Sequence, residues 1–119
     1  MSISENGVPQ VTPQEGRQRV EDGALLLDVR EPDEWEAGHA PAAVHLPLGR
    51  VEAGDHGDVA LEPGRPVVVI CRVGGRSEKA AVALKAAGFE AVNLAGGMRA
   101  WAEAGQPVVK DDGEIGTVI

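Results

Sequence analysis

"VVVICRVGGRSEKAAVALKAAG", residues 67–88, decides how the rest of this chain is read. It opens on three valines and an isoleucine with no polar residue between them. That is the pattern of a strand buried on both faces. It closes on "SEKAAVALKAAG" (77–88), a run of good helix formers ended by a glycine. Between the two lie a cysteine, two arginines and two glycines. A strand, a tight turn and a helix make up the first half of a βαβ unit, and that unit implies a parallel sheet.

The same grammar extends in both directions. "ALLLDV" (24–29), "PVVVIC" (66–71) and "AVNLAG" (91–96) read as buried strands, and "AVHLPL" (43–48) as a shorter one. "VPQV" (8–11) reads as an edge strand, because Pro9 lacks the donor that an interior strand needs. "TPQEGRQRVEDG" (12–23) reads as a helix with Thr12 as N-cap, Pro13 in the first position, Glu15 completing a capping box and Gly23 as the stop. "EPDEWEAG" (31–38) and "GMRAWAEAG" (97–105) are further helices, and residues 49–65 predict a helical turn or two followed by loop. Five strands alternating with helices predict an α/β fold, a five-stranded parallel sheet with helices on both faces and right-handed crossovers. Residues 1–7 read as a flexible leader, 8–108 as one domain and 109–119 as a solvated C-terminal tail, with docking of its terminal apolar residues as the alternative.

Composition narrows the partners. Aromatic residues make up 3% of the 119 and apolar residues 43%, so the core must be built from Val, Leu, Ile and Ala. The formal net charge of −8 argues against nucleic acid and anionic membranes, which select basic surfaces. It does not argue against a small anionic substrate, since distant charges are screened. The single cysteine forms no internal disulfide and fits a reducing compartment. "MSISENGVPQV" lacks the pattern of a secretory signal and no apolar run is long enough for a membrane span, so the expectation is a cytoplasmic protein.

In open parallel sheets, ligands bind beyond the carboxyl ends of the strands. Cys71 stands at such an end, as do Asp28, Val29 and Arg30. A lone cysteine closing a buried strand is usually inert packing, but the residues after Cys71 argue otherwise. Gly74 and Gly75 allow a turn whose N–H groups converge into an anion-binding nest. The following helix adds the positive end of its dipole, and Arg72 and Arg76 add two full charges. This environment favours the thiolate, the nucleophilic form. Arg72 is a candidate to attract an anionic donor, and Arg76 to do the same or to pin the loop through a carboxylate. Ser77 reads as the helix N-cap. Asp28 reads as a support for turn N–H groups, and Arg30 as a wider cationic mouth or a partner of Glu31 or Glu34. His39 reads as a turn residue bonding backbone, and His45 and His56 have no metal-ligand spacing. Trp35 and Trp101 read as packing, and the acidic stretch 31–36 as a solvated helix face.

These motifs resemble the rhodaneses, sulfurtransferases that carry sulfur as a cysteine persulfide. The resemblance rests on the Cys-x-x-x-x-Arg-Ser loop (Cys71 to Ser77), on "LLLDVREPDEWEAGHAPAAVHLPL" (25–48) with its Asp-Val-Arg and Gly-His-x-Pro elements, and on "VNLAGGMRAW" (92–101). It covers residues 8 to 108 in the family's order and implies the single-domain form. Four residues separate Cys71 from Arg76, whereas related phosphatases of this topology carry five. The shorter ring suits one sulfur atom on the cysteine better than a phosphate. The resemblance therefore implies that Cys71 takes the outer sulfur of thiosulfate or a persulfide donor and passes it to cyanide, a thiol or a protein thiol. The backbone amides of Arg72, Val73, Gly74, Gly75, Arg76 and Ser77 would hold that sulfur, with no metal and no cofactor. A sulfur-relay or protein-binding module is the alternative, and a cysteine-dependent phosphatase or arsenate reductase a lesser one.

Overall fold

The two most apolar runs form neighbouring parallel strands, β3 (Leu25–Asp28) and β5 (Val67–Ile70), paired from Leu25 with Val67 to Asp28 with Ile70. The structure is a computed structural model and describes residues 2–119. On the far side of β5 lies β6 (Ala91–Leu94), then β2 (Pro9–Val11), while β4 (Val44–His45) flanks β3. These are the five expected parallel strands. A sixth, β1 (Ser2–Ile3), pairs antiparallel with β2 and gives the order β1-β2-β6-β5-β3-β4.

The sixth strand corrects the reading of residues 1–7 as a flexible leader; Met1 itself lies outside the described residues. A tight turn, with Ser4 N–H on the Val8 carbonyl (2.9 Å) and Gly7 N–H on the Ser4 carbonyl (2.9 Å), reverses the chain. It lays Ser2–Ile3 along the outer side of β2, whose backbone groups would otherwise stand unpaired. β2 is therefore not the edge that Pro9 suggested. β4 is shorter than expected because Pro47 supplies no ladder donor and the chain turns into α3 (Leu48–Glu52) directly after it.

The pleat sorts the apolar side chains by alternate residues. Leu25, Leu27, Val67, Val69 and Cys71 face one side, where they pack with Val51 of α3 and with Ala80, Ala81 and Leu84 of α4 (Gly75–Ala86). Leu26, Val68, Ile70, Val92 and Leu94 face the other, under α1 (Pro13–Glu21) and α5 (Gly97–Glu103), with Met98 and Trp101. The parity of the strand thus aims Cys71 at α4, the helix that starts four residues after it. The capping box read from Thr12 and Glu15 is present at the head of α1, at 3.1 and 2.9 Å. Among the described residues no helix is long and apolar enough to cross a membrane.

The C-terminal segment does not run out into solvent, as its composition suggested. Val109 bridges both His39 and Ile115, Thr117 N–H donates to the Ala37 carbonyl (2.9 Å), and Val108 and Val118 pack against the core. The close approach depends on Gly38, where a Cβ would collide with the Thr117 backbone.

The end of β3 carries a buried ion pair. Asp28 and Arg30 are both fully buried. Arg30 Nε and Nη2 fork onto the Asp28 carboxylate at 2.8–3.1 Å, its backbone N–H donates to Asp28 Oδ1, and Nη2 also reaches the Gly38 carbonyl at 2.7 Å. The expectation that Arg30 widens a cationic mouth, or pairs with Glu31 or Glu34, is thereby corrected. The side chain at the strand end is turned into the body, and its nearest carboxylate is two residues away in its own loop. Removing one charge from such a pair leaves the other buried without compensation. Asp28→Asn is expected to destabilise the protein by about 3 kcal/mol, measured as a lower urea midpoint at unchanged slope; a change within error would contradict a structural role for the pair.

Candidate active site

The loop after β5 is built around one sulfur atom. Gly74 sits at φ 110°, a conformation that side chains resist, and its N–H donates to Cys71 Sγ at 3.1 Å. Helix α4 starts immediately afterwards, two residues earlier than its sequence pattern predicts. Gly75 and Arg76 therefore belong to its first turn, and Gly74, not Ser77, is its N-cap. Ser77 is instead buried in the third helical position. Its hydroxyl lies 3.2 Å from Cys71 Sγ and 2.6 Å from Asn93 Oδ1. The first amides of a helix have no intrahelical acceptor, and among the described residues those of Val73, Gly75 and Arg76 have no protein acceptor at all. They are available to an anion at the loop.

The backbone of the loop is held from the other side of the sheet. Met98 N–H donates to the Cys71 carbonyl (2.8 Å) and Arg99 N–H to the Arg72 carbonyl (3.0 Å). Gly97, at φ 59°, lies directly against this backbone, and a Cβ there would overlap the Cys71 carbonyl and the Arg72 peptide. Gly97 is thus a packing requirement of the cysteine loop, whereas a Cβ at Gly96 would meet Ala100.

Charges around the loop are largely compensated. Arg76 makes a two-pronged ion pair with Glu34 of α2 (Pro32–Ala37), at 2.6 and 2.8 Å. The Arg76 guanidinium holds the Glu34 carboxyl below its ordinary value of 4.5, and Glu34 in turn raises Arg76. Arg72 is exposed, and its Nε donates to the backbone oxygen of Ile119, the last residue, at 3.0 Å. Arg30 and Asp28 are turned away in their own pair. Cys71 itself is 1% exposed, whereas Val73 at the rim is 51% exposed. The sulfur lies at the floor of the loop because strand parity aims it under α4, and the rim residues and free amides stand above it.

Several contributors were not legible as such in the sequence. Asn93 is the one polar residue inside "AVNL", and that interruption was its only signal. Its Nδ2 donates to Gln10 Oε1 (2.9 Å) and to the Gly74 carbonyl (3.1 Å). Glu78 anchors the far side of this network and accepts from Ser4 (2.5 Å), Asn6 (3.2 Å) and Gln10 (2.9 Å). Burial pushes the Glu78 carboxyl up, but these hydrogen bonds outweigh it and leave the group below 4.5. Glu34, read as part of a solvated face, is the partner of Arg76. His39 bonds backbone through Nδ1 (Ala40 carbonyl, 3.1 Å), but its Nε2 also meets Asp111 of the C-terminal segment at 2.9 Å. Trp35 stacks between His39 and His45, at 3.6 and 4.9 Å between ring centres. An apolar cavity of about 210 Å³ between Val20, Leu26, Pro41, Trp101 and Pro107 lies under the opposite face and does not reach Cys71.

A family model described as "Rhodanese-like domain" matches residues 12–104. The chain is 40% identical over 103 residues to "Putative sulfur carrier protein YrkF" of Bacillus subtilis, covering 84% of this chain but 54% of that protein, so it spans about half its relative's length. It is 33% identical to "Thiosulfate sulfurtransferase GlpE" of Pseudomonas syringae, covering 77% of this chain and 85% of that one. A crystal structure of a rhodanese-related protein from Thermoplasma volcanium superposes with a TM-score of 0.75 at 29% identity, over 85% of this chain and 97% of the other.

The Glu34–Arg76 pair has a definite pH signature. A carboxyl whose folded value is depressed contributes stability that is complete above its unfolded value and is lost as pH falls through the folded one. The stability gap between the unmodified protein and Glu34→Gln is therefore expected to be full at neutral pH and to close progressively below 4.5. Urea unfolding of both proteins across that range measures it; a gap that does not depend on pH would contradict the pairing.

Proposed function

The chain belongs to the rhodanese-like domain family, whose members here include sulfurtransferases and a sulfur carrier, and from that premise we propose that it moves sulfane sulfur through a persulfide on Cys71. The observation that carries the reading is the amide of Gly74 aimed at Cys71 Sγ at 3.1 Å, beside loop amides that have no protein acceptor. A ring of N–H groups around a reactive atom stabilises negative charge that develops there.

The transfer runs in two displacements. In the first, the Cys71 thiolate attacks the outer sulfur of thiosulfate or of a persulfide. A new S–S bond forms, and the donor's S–S bond breaks with its electron pair leaving on sulfite or thiolate. In the second, cyanide or an acceptor thiolate attacks the outer sulfur, and the pair of the broken bond returns to Cys71 Sγ. The amides of Arg72 to Ser77 hold the outer sulfur while it bears charge. Arg72, exposed beside the loop, draws the anionic donor in. Arg76 acts through Glu34 to fix the start of α4, and the buried Asp28–Arg30 pair fixes the end of β3. Metals and organic cofactors have no part in either step. The chain holds one cysteine, so the second thiol comes from an external acceptor. The chemistry suits a reducing compartment, the cytoplasm, where a lone thiol stays available.

A relay role, in which the persulfide is loaded by one protein and collected by another, is the second reading. The 1% exposure of Cys71 favours it, since entry past the rim then becomes selective. A panel of donors separates the two. Incubation with thiosulfate is expected to add roughly 32 Da, one sulfur atom, that is lost on adding cyanide. An adduct formed only with a persulfide donor selects the relay. No adduct with either donor, or an adduct that survives in Cys71→Ser, overturns both readings.

A further inference from the structure

We propose that Asn93 is a positioning residue that sets the direction of the Ser77 hydroxyl proton and, through it, the charge that Cys71 Sγ can hold in each half-reaction. The catalytic part of this inference rests on the persulfide reading above. The hydrogen-bond part does not.

The orientation of the Asn93 amide follows from its neighbours. Its Nδ2 end faces the Gly74 carbonyl at 3.1 Å and Glu78 Oε1 at 3.4 Å, and neither of these can donate. The same end faces Gln10 Oε1 at 2.9 Å, and the Gln10 amide is oriented in turn because its Nε2 lies against the Val8 carbonyl (3.0 Å) and Glu78 Oε1 (2.9 Å). Flipping Asn93 would bring oxygen against oxygen at each contact. Asn93 Oδ1 therefore faces Ser77, and because Oδ1 carries no proton, the Ser77 hydroxyl donates across the 2.6 Å gap.

A hydroxyl has one proton and two lone pairs. With the proton committed to Asn93, Ser77 turns lone pairs towards Cys71 Sγ, 3.2 Å away. That arrangement accepts an S–H and suits a neutral sulfur, whereas a thiolate would face lone pairs across the same gap. The thiolate is accommodated when the hydroxyl rotates and donates to sulfur, giving up Asn93. Ser77 is thus a two-position donor whose balance Asn93 sets. When Cys71 carries the extra sulfur, Sγ is a neutral bridging atom, the charge sits on the outer sulfur, and the Ser77 proton returns to Asn93. When the acceptor removes that sulfur, the electron pair arrives on Sγ and the hydroxyl turns back to meet it. Only the hydroxyl torsion changes, and no proton leaves Ser77.

The other end of Asn93 works on the same site. Nδ2 holds the Gly74 carbonyl, and in a trans peptide the next N–H points the opposite way. The Gly75 amide is therefore directed away from Asn93. The charged groups around the sulfur are Arg72 in the loop, Arg76 and Glu78 on α4, Glu34 on α2, the Asp28–Arg30 pair after β3 and Arg99 on α5. Among the described residues none of them makes a hydrogen bond to Sγ, whose partners are Gly74 N–H and the Ser77 hydroxyl.

A double-mutant cycle on Cys71 alkylation tests the proposal, and the single cysteine makes the label unambiguous. Iodoacetamide rates at neutral pH and ultraviolet thiolate absorbance are measured for the unmodified protein, Asn93→Ala, Ser77→Ala and the double variant. Asn93→Leu, closer in volume, repeats the cycle in case Asn93→Ala folds poorly. With Ser77 present, loss of the Asn93 acceptor frees the hydroxyl for the thiolate. The rate change caused by the Asn93 substitution is then expected to be about tenfold more favourable to alkylation than the same change without Ser77. The thiolate band should move in parallel. Equal changes in both backgrounds would overturn the proposal and leave Asn93 a structural residue. The measurement needs no sulfur donor. Coupling without persulfide formation would therefore overturn only the functional reading, and persulfide formation without coupling only this one.

Discussion

The hydrogen bond from the Gly74 amide to the Cys71 sulfur, at 3.1 Å, is the contact the rest of the site serves. It exists only because Gly74 adopts a positive φ and ends the strand-to-helix turn within three residues of the cysteine. Everything nearby fixes one part of that turn. The Met98 and Arg99 amides hold the Cys71 and Arg72 carbonyls, Gly97 allows their approach, and Asn93 holds the Gly74 carbonyl. Arg76 ties the first turn of α4 to α2 through Glu34. The loop is thus gripped by backbone and side chains drawn from α2, β6 and α5. Such redundancy is the condition for keeping a turn of this shape pre-organised.

Much of the fold was legible because its strongest signals are local. All-apolar runs of four residues cannot sit at a surface, and a helix with a Gly stop follows the best of them. What sequence missed depends on pairings between distant residues. Asn93 meets the cysteine loop because β6 runs parallel to β5 with Val69 opposite Asn93. Glu34 and Arg76 are far apart in the chain, and an acidic helix face looks the same whether or not an arginine from another element lies across it. Ser77 fitted an N-cap pattern, but Gly74 took that place by adopting the left-handed conformation, and the serine hydroxyl faces Asn93 and the sulfur instead. The leader and the C-terminal segment carry no continuous or periodic apolar run to announce themselves. Each is held mainly by backbone hydrogen bonds, which composition does not encode.

Charge reads differently once the structure is in view. The chain is acidic overall, and the arginines near the loop are neutralised one by one: Arg30 by Asp28 and Arg76 by Glu34. Arg72 is exposed beside the loop and donates to the backbone oxygen of Ile119. Both terminal segments reach residues flanking the loop, Ser4 and Asn6 through Glu78 and Ile119 through Arg72, and both lie outside the matched family region.

The central claim is that loop amides receive a sulfur atom bound to Cys71. The ¹H–¹⁵N spectrum tests it most directly, recorded before and after treatment with a persulfide donor and again after cyanide. Large shifts confined to the amides of Val73, Gly74, Gly75 and Arg76, reversed by cyanide, are the predicted result. Loaded protein whose loop amides stay where they were, with the shifts falling elsewhere, would contradict it.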